Sequence, residues 1–151
     1  MSVKTTAALI VAVSSLLGSM VARFPILAAA SVQSASSGAP LFPGWDADPE
    51  AHVFAREYWI YPTYSAPYDQ QTFMDAFSST DLVTWTKHPR ILDAADVKWA
   101  HRALWAPSIV EKGGAYYLFF GANDIQNDQQ SGGIGVARAE SPGGPFKDYL
   151  G

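Results

Sequence analysis

Residues 48–61, DPEAHVFAREYWIY, and residues 106–120, APSIVEKGGAYYLFF, read as two copies of one unit. In each copy a proline (Pro49; Pro107) is followed nine residues later by an aromatic run, Tyr58-Trp59-Ile60-Tyr61 in the first and Tyr116-Tyr117-Leu118-Phe119-Phe120 in the second. A short apolar stretch (Val53-Phe54; Ile109-Val110) and a turn (Arg56-Glu57; Lys112-Gly113-Gly114) lie between. The aromatic runs begin 58 residues apart, at Tyr58 and Tyr116, a period long enough for four strands with generous loops. A second half follows each unit: Phe73 to Ser79 running on to Trp85, and Ile134 to Ala139 running on to Phe146. Each unit therefore reads as two hairpins.

Short runs rich in β-branched and aromatic residues, separated by Gly, Pro, Asn and Asp, predict an all-β fold. No segment after position 41 keeps a helical period. A sandwich is compatible with such strands, but the long two-part repeat favours a β-propeller. Propellers close with roughly 4–8 blades, and two units fit here. The chain is thus expected to be the front part of a larger protein, a truncated fragment.

Composition narrows the function classes. Net charge is −4, the sequence pI is about 5.2 and no basic run occurs, which argues against nucleic-acid or anionic-membrane partners. Cysteine is absent, so disulfides, zinc-thiolate sites and cysteine nucleophiles are excluded. The 5 Trp, 7 Tyr and 8 Phe leave many rings for stacking. Lys4, the uncharged apolar stretch from Ala7 to Ala22 and the small residues Ala28-Ala29-Ala30 have the layout of a secretory leader over residues 1–30. Before Arg23 the apolar run is shorter than the ~20 residues a membrane span needs. Residues 31–40 read as a Ser/Ala-rich linker with nothing to pack, and 41–151 as the partial propeller domain. A secreted, extracellular protein without a membrane segment after leader removal is the expectation.

Three carboxylates and a tryptophan crowd the entrance to the first strand: Trp45, Asp46, Asp48 and Glu50. The first strand of a propeller blade lines the central channel, so a carboxylate there faces a ligand. Asp46 and Asp48 stand two apart and would share one face of an extended chain. They cannot approach a glycosidic bond from both sides, as a glycosidase pair must, but one could supply half of such a pair. The competing reading is that they are turn carboxylates capping backbone donors. In Trp99-Ala100-His101-Arg102-Ala103-Leu104-Trp105, two tryptophans with an arginine could form a sugar platform. Trp99 is expected in the core, and Trp105, in register with Ala47, near the channel. The polar loop Asn123 to Gln130, with Asp124, lacks the glycine and terminal glutamate of a calcium loop and reads as a solvated or substrate-contacting loop. His52, His88 and His101 show no ligand spacing, no phosphate loop or nucleophile elbow occurs, and no metal or cofactor is expected.

Taken together, Trp45 to Phe54, Tyr58 to Tyr61, Ser78-Ser79-Thr80-Asp81-Leu82-Val83-Thr84-Trp85 and Leu104-Trp105-Ala106-Pro107-Ser108 closely resemble glycoside hydrolase family 43, from Pro43 to Gly151. That family contains β-xylosidases, α-L-arabinofuranosidases and arabinanases of plant cell-wall breakdown. The resemblance implies a five-bladed β-propeller, of which about the first two blades are present. It also implies inverting hydrolysis of an oligosaccharide or polysaccharide substrate on the xylan or arabinan side. The family's general base, the aspartate of the Asp-Pro pair opening the first blade, matches Asp48. Its pKa-modulating aspartate opens the third blade and its acid is a glutamate of the fourth, so neither has a counterpart here. Ser108 stands where many relatives carry aspartate. Substrate contacts are assigned to Trp45, Asp46, Trp105, Ser108 and Asp124, with xylose or arabinose left open.

The alternative is a non-catalytic carbohydrate-binding propeller, against which the presence of Asp48 argues, since a lectin needs no base there. A WD-type interaction propeller fails on its signature: Trp45-Asp46 precedes the first strand instead of ending a blade.

Overall fold

The computed structural model describes the backbone of residues 31–33 and residues 40–123 and 131–151 in full. The leader expected over residues 1–30, residues 34–39 of the expected linker, and Asp124 with the rest of the polar loop to Gln130 lie outside the described residues.

The described chain is built on nine strands: β1 (Ser31–Gln33), β2 (Asp46–Phe54), β3 (Glu57–Tyr64), β4 (Phe73–Ser79), β5 (Thr84–Asp93), β6 (Leu104–Lys112), β7 (Ala115–Asn123), β8 (Gly132–Ala139) and β9 (Lys147–Asp148). A single 3-10 turn, Ala94–Asp96, follows β5. The strands form two antiparallel sheets, β1-β5-β4-β3-β2 and β6-β7-β8-β9. Each sheet contains the two consecutive hairpins read from the repeat, so the all-β, two-blade expectation holds.

Both first hairpins turn in two residues. Phe54 pairs with Glu57 across Ala55-Arg56, and Lys112 pairs with Ala115 across Gly113-Gly114. All four turn residues have positive φ, from 50° to 76°. That geometry matches the right-handed twist of the strands and favours Asn-Gly or Gly-Gly. The second blade supplies glycines, whereas the first forces alanine and arginine into the left-handed region, at about 1–2 kcal/mol per residue. Exchanging Ala55-Arg56 for Asn-Gly is therefore expected to raise unfolding stability by about 1 kcal/mol, net of glycine's greater entropy loss. A denaturant melt checks this; a lower midpoint would show that the arginine stem packs usefully.

Two features differ from the sequence expectation. Ser31–Gln33, placed in the linker, pairs with Thr84–Thr86 as the outermost strand of the first sheet. Edge pairing runs through backbone groups, so a Ser/Ala-rich composition does not prevent it. Strand β5, whose start the sequence reading marks near Trp85, continues through Pro89 to Asp93. The ladder jumps from Ala76↔His88 to Met74↔Leu92, and the proline sits in that irregularity, where a missing N–H costs no ladder bond. Asp75 fills the gap: its Oδ1 accepts the Arg90 N–H at 2.7 Å and its Oδ2 meets the Lys87 ammonium at 2.7 Å.

The core lies between the facing sheets. Trp59, Tyr61, Met74 and Ile91 of the first meet Leu104, Ile109, Leu118 and Phe120 of the second. Trp99 packs on this cluster and stacks on Phe120, centroids 6.0 Å apart, as expected of a core residue. The segment after β8 straps back onto the first sheet. Tyr61 donates to the Pro142 carbonyl at 3.0 Å, the Phe146 N–H donates to the Ile91 carbonyl at 2.7 Å, and the Phe146 ring is wholly buried. The opposite faces of both sheets remain apolar and open, with Val53 and Tyr58 on one and Val110, Phe119 and Ile134 on the other.

Candidate active site

The first strands of the two blades, β2 and β6, lie beside each other, and each is interrupted at the same repeat position. In β2 the pairing with β3 jumps between Ala47 and Glu50; in β6 the pairing with β7 jumps between Trp105 and Ser108. The residue before each proline is left-handed, Asp48 at φ 45° and Ala106 at φ 46°. Proline disfavours the α region in the residue before it and donates nothing, so each Xaa-Pro pair is suited to a bulge. These prolines stand inside the strand. The bulge sets Asp48 and Pro49 together opposite Pro62, and the two carboxylates have different partners: Asp48 meets Thr63, while the charged neighbours of Asp46 are Lys87 and Asp75.

Thr63 joins the two bulges. This side chain is only 3% exposed, on β3 opposite Ala47. Its hydroxyl oxygen accepts the Ala106 N–H at 2.7 Å and its proton is donated to Asp48 Oδ2 at 3.3 Å. Asp48 is otherwise exposed, a carboxylate presented at a strand bulge beside the second blade.

Glu50, on the far side of the bulge, ties the blades together. Its Oε1 accepts the Ile109 N–H at 3.3 Å and meets His52 Nε2 at 2.5 Å, and Ser108 donates its hydroxyl to the same carboxylate. Burial pushes the Glu50 pKa up, but the donors Ser108, His52 and Ile109 outweigh it and hold the group below its ordinary value. Ser108 is thus a donor toward Glu50; an aspartate there would set two carboxylates against each other. Asp46 turns elsewhere. Burial raises its pKa, Lys87 lowers it and Asp75 raises it again, which places its electrostatic neighbours on β4 and β5.

The two tryptophans are both presented to solvent. Trp45 is 83% exposed, held at this mouth by its carbonyl, which accepts the Ser65 N–H at 2.9 Å. Trp105 is 44% exposed and its indole lies flat on Gly121, where an added Cβ would come within 2.8 Å of the ring. Its N–H donates to Asn123 Oδ1 at 3.3 Å, fixing the ring as an apolar shelf. Among the assigned residues the fold unites Asp48, Trp105 and Ser108 through Thr63 and Glu50, and separates Asp46. Thr63 carries no signal in the sequence: it is one hydroxyl in an apolar, aromatic strand.

Among the described residues no group of three or more His, Asp or Glu is arranged to hold a metal ion. The arrangement offers a hydrogen-bonded, solvent-facing carboxylate, which suits proton abstraction from a water, and an exposed indole on the neighbouring blade, which suits stacking on a sugar ring.

Comparison with known proteins shows the family. Residues 37–151 match the family model of glycosyl hydrolases family 43. The chain is 47% identical over 137 residues to the beta-D-galactofuranosidase xynD of Aspergillus niger, covering 83% of this chain and 38% of that protein. It is 35% identical over 116 residues to the xylosidase/arabinosidase 43A of Humicola insolens, covering 68% and 34%. Among solved structures it is similar to a beta-xylosidase/alpha-arabinofuranosidase from a compost microbial metagenome in complex with xylotriose, with TM-score 0.63 and 34% identity over 75% of this chain and 37% of that one. A Xanthomonas citri enzyme complexed with xylotriose gives TM-score 0.62 at 28% identity, over 82% and 36%. The chain therefore spans little more than a third of the length of the relatives it matches. With the repeat, the paired bulges and these likenesses in agreement, the chain belongs to glycosyl hydrolases family 43 and its two sheets are blades of that family's β-propeller.

Proposed function

We propose that this chain carries the general-base side of a secreted glycoside hydrolase that cleaves O-glycosidic bonds of plant cell-wall saccharides by inversion. The observation that carries the reading is Asp48, lifted out of the ladder by a bulge and hydrogen-bonded by a buried hydroxyl. In the reaction Asp48 takes a proton from a water. The water oxygen bonds to the anomeric carbon, the glycosidic C–O bond breaks, and the leaving oxygen receives a proton from a carboxylic acid ~6.5–9.5 Å away on the other side of the sugar. Trp105 supplies a face for the sugar ring, and Trp45 a second ring at the mouth. Secretion rests on the leader-like residues 1–30.

Pentose polysaccharides or oligosaccharides on the xylan or arabinan side are the substrates the family resemblance suggests. A second reading is favoured by one observation: the relative at 47% identity is named a galactofuranosidase, against 35% for a xylosidase/arabinosidase. Galactofuranosides and arabinofuranosides share a five-membered ring. Nitrophenyl β-D-xylopyranoside, α-L-arabinofuranoside and β-D-galactofuranoside, offered to a polypeptide spanning the full length of the relatives, test the choice. The primary expectation is turnover of a pentoside; preference for the galactofuranoside would move the assignment to hexofuranose chains. Failure on all three, with retained binding to xylan or arabinan, would favour the non-catalytic propeller.

A further inference from the structure

We infer that Thr63 is a positioning residue for the base, and that it makes the orientation of Asp48 in the first blade depend on the backbone of the second. The inference rests on the reading of Asp48 as base. Its physical ground is the proton count of one hydroxyl. A threonine hydroxyl has a single proton to donate and lone pairs to accept with. The Ala106 N–H points out of the β6–β7 ladder because the register skips that residue, and it occupies the acceptor side of Thr63 at 2.7 Å. The hydroxyl proton is then directed away from Ala106, and the acceptor it meets is Asp48 Oδ2 at 3.3 Å. Thr63 is β-branched, so its rotamer is stiff, and its side chain is buried, so bulk water reaches the bond from the exposed Asp48 side alone.

The consequence lies in the aim of the carboxylate. Oδ2 is held, which fixes the plane of the group and leaves abstraction of the water proton to Oδ1. A carboxylate at a strand bulge, on an otherwise exposed side chain, would without this bond sample several orientations. Misplacing a reacting group by an ångström costs rate far more than affinity. The two left-handed residues, Asp48 and Ala106, have one explanation here. Each lifts its backbone out of the ladder so that a carboxylate on one strand and an N–H on the other reach the same hydroxyl.

The test uses a polypeptide spanning the full length of the relatives, with an aryl glycoside it turns over. Thr63→Val keeps the shape and removes both bonds; kcat is expected to fall about 30- to 100-fold with KM changed less than about threefold. Thr63→Ser retains donor and acceptor and is expected to restore kcat to within about threefold of the original. In an Asp48→Asn background the valine change is expected to cost less than about twofold, because the group it positions no longer takes a proton. Should the valine protein fail to fold by thermal melt, Thr63→Cys, a weaker donor of similar shape, takes its place, with a loss expected between those of serine and valine. A valine or cysteine protein with unchanged kcat, a loss expressed in KM alone, an equal loss in the Asp48→Asn background, or a serine protein as impaired as valine would each overturn the role of Thr63. Full activity of Asp48→Asn itself would instead overturn the base assignment, so the two failures read differently.

Discussion

Replacing Asp48 by asparagine in a polypeptide spanning the full length of its relatives is expected to lower kcat by about 10³- to 10⁴-fold, while sugar binding survives. The exchange is a narrow one. Asparagine has the same shape, and its carbonyl can still accept the Thr63 hydroxyl that Asp48 Oδ2 now accepts. Strand β2, the bulge and the link to Ala106 therefore have no reason to move. What disappears is an acceptor basic enough to take a proton from water as the anomeric carbon is attacked. KM should remain within a few-fold, since the rings of Trp45 and Trp105 are untouched. Asp46→Asn is the control: it has the same chemistry two residues away, but its neighbours are Lys87 and Asp75, and its effect should be much milder. A loss of only a few-fold in Asp48→Asn would remove the residue from the base role.

The 151-residue polypeptide by itself is expected to leave arabinan, xylan and nitrophenyl pentosides intact at background rates. Inverting hydrolysis needs an acid facing the base across the sugar. The carboxylates nearest Asp48 hang from the same strand, β2. Asp46 has Lys87 and Asp75 as its charged neighbours, and Glu50 is engaged with Ile109, His52 and Ser108. Neither can stand on the opposite side of a glycosidic bond. The open apolar faces at Val53 and Ile134 add a physical hazard, since exposed sheet surface of this kind invites self-association. Size-exclusion chromatography should show association or a loosely packed species. Turnover above background that vanishes in an Asp48→Asn control would mean that these residues include their own acid.

Much of the architecture was legible because its signals are local. A proline, a two-residue turn and an aromatic run recur at a fixed offset, and each such unit folds as a hairpin whose second strand is buried. Position 48 is singled out by the resemblance to family 43; the local pattern by itself leaves Asp46 and Asp48 as alternatives. The bulges were not legible. A left-handed residue is flagged in sequence by glycine or asparagine, and here the positions hold aspartate and alanine, each ahead of a proline. Reading an unbroken strand put Asp46 and Asp48 on one face. Thr63 and Glu50 were illegible as partners because their bonds cross between blades, to Ala106 and Ile109, at separations of 43 and 59 residues. Strand β1 was missed because pairing through backbone alone leaves no mark on side-chain composition.

The strap from Pro142 to Phe146 also sets a schedule for synthesis. Chains emerge from the N-terminus, at about 5–20 residues per second. Ile91 leaves the ribosome well before Phe146, the residue whose N–H its carbonyl awaits and whose ring fills the space between the sheets. At that rate the 55 residues from Leu92 to Phe146 take about 3–11 s. Until β6 and β7 have followed, the inner face of the first blade, with Trp59, Tyr61 and Met74, has no second blade to cover it, and until Phe146 arrives the strap that closes the space is missing. The nascent first blade is then a client for chaperones, and codon choice between Ile91 and Phe146 becomes a determinant of yield.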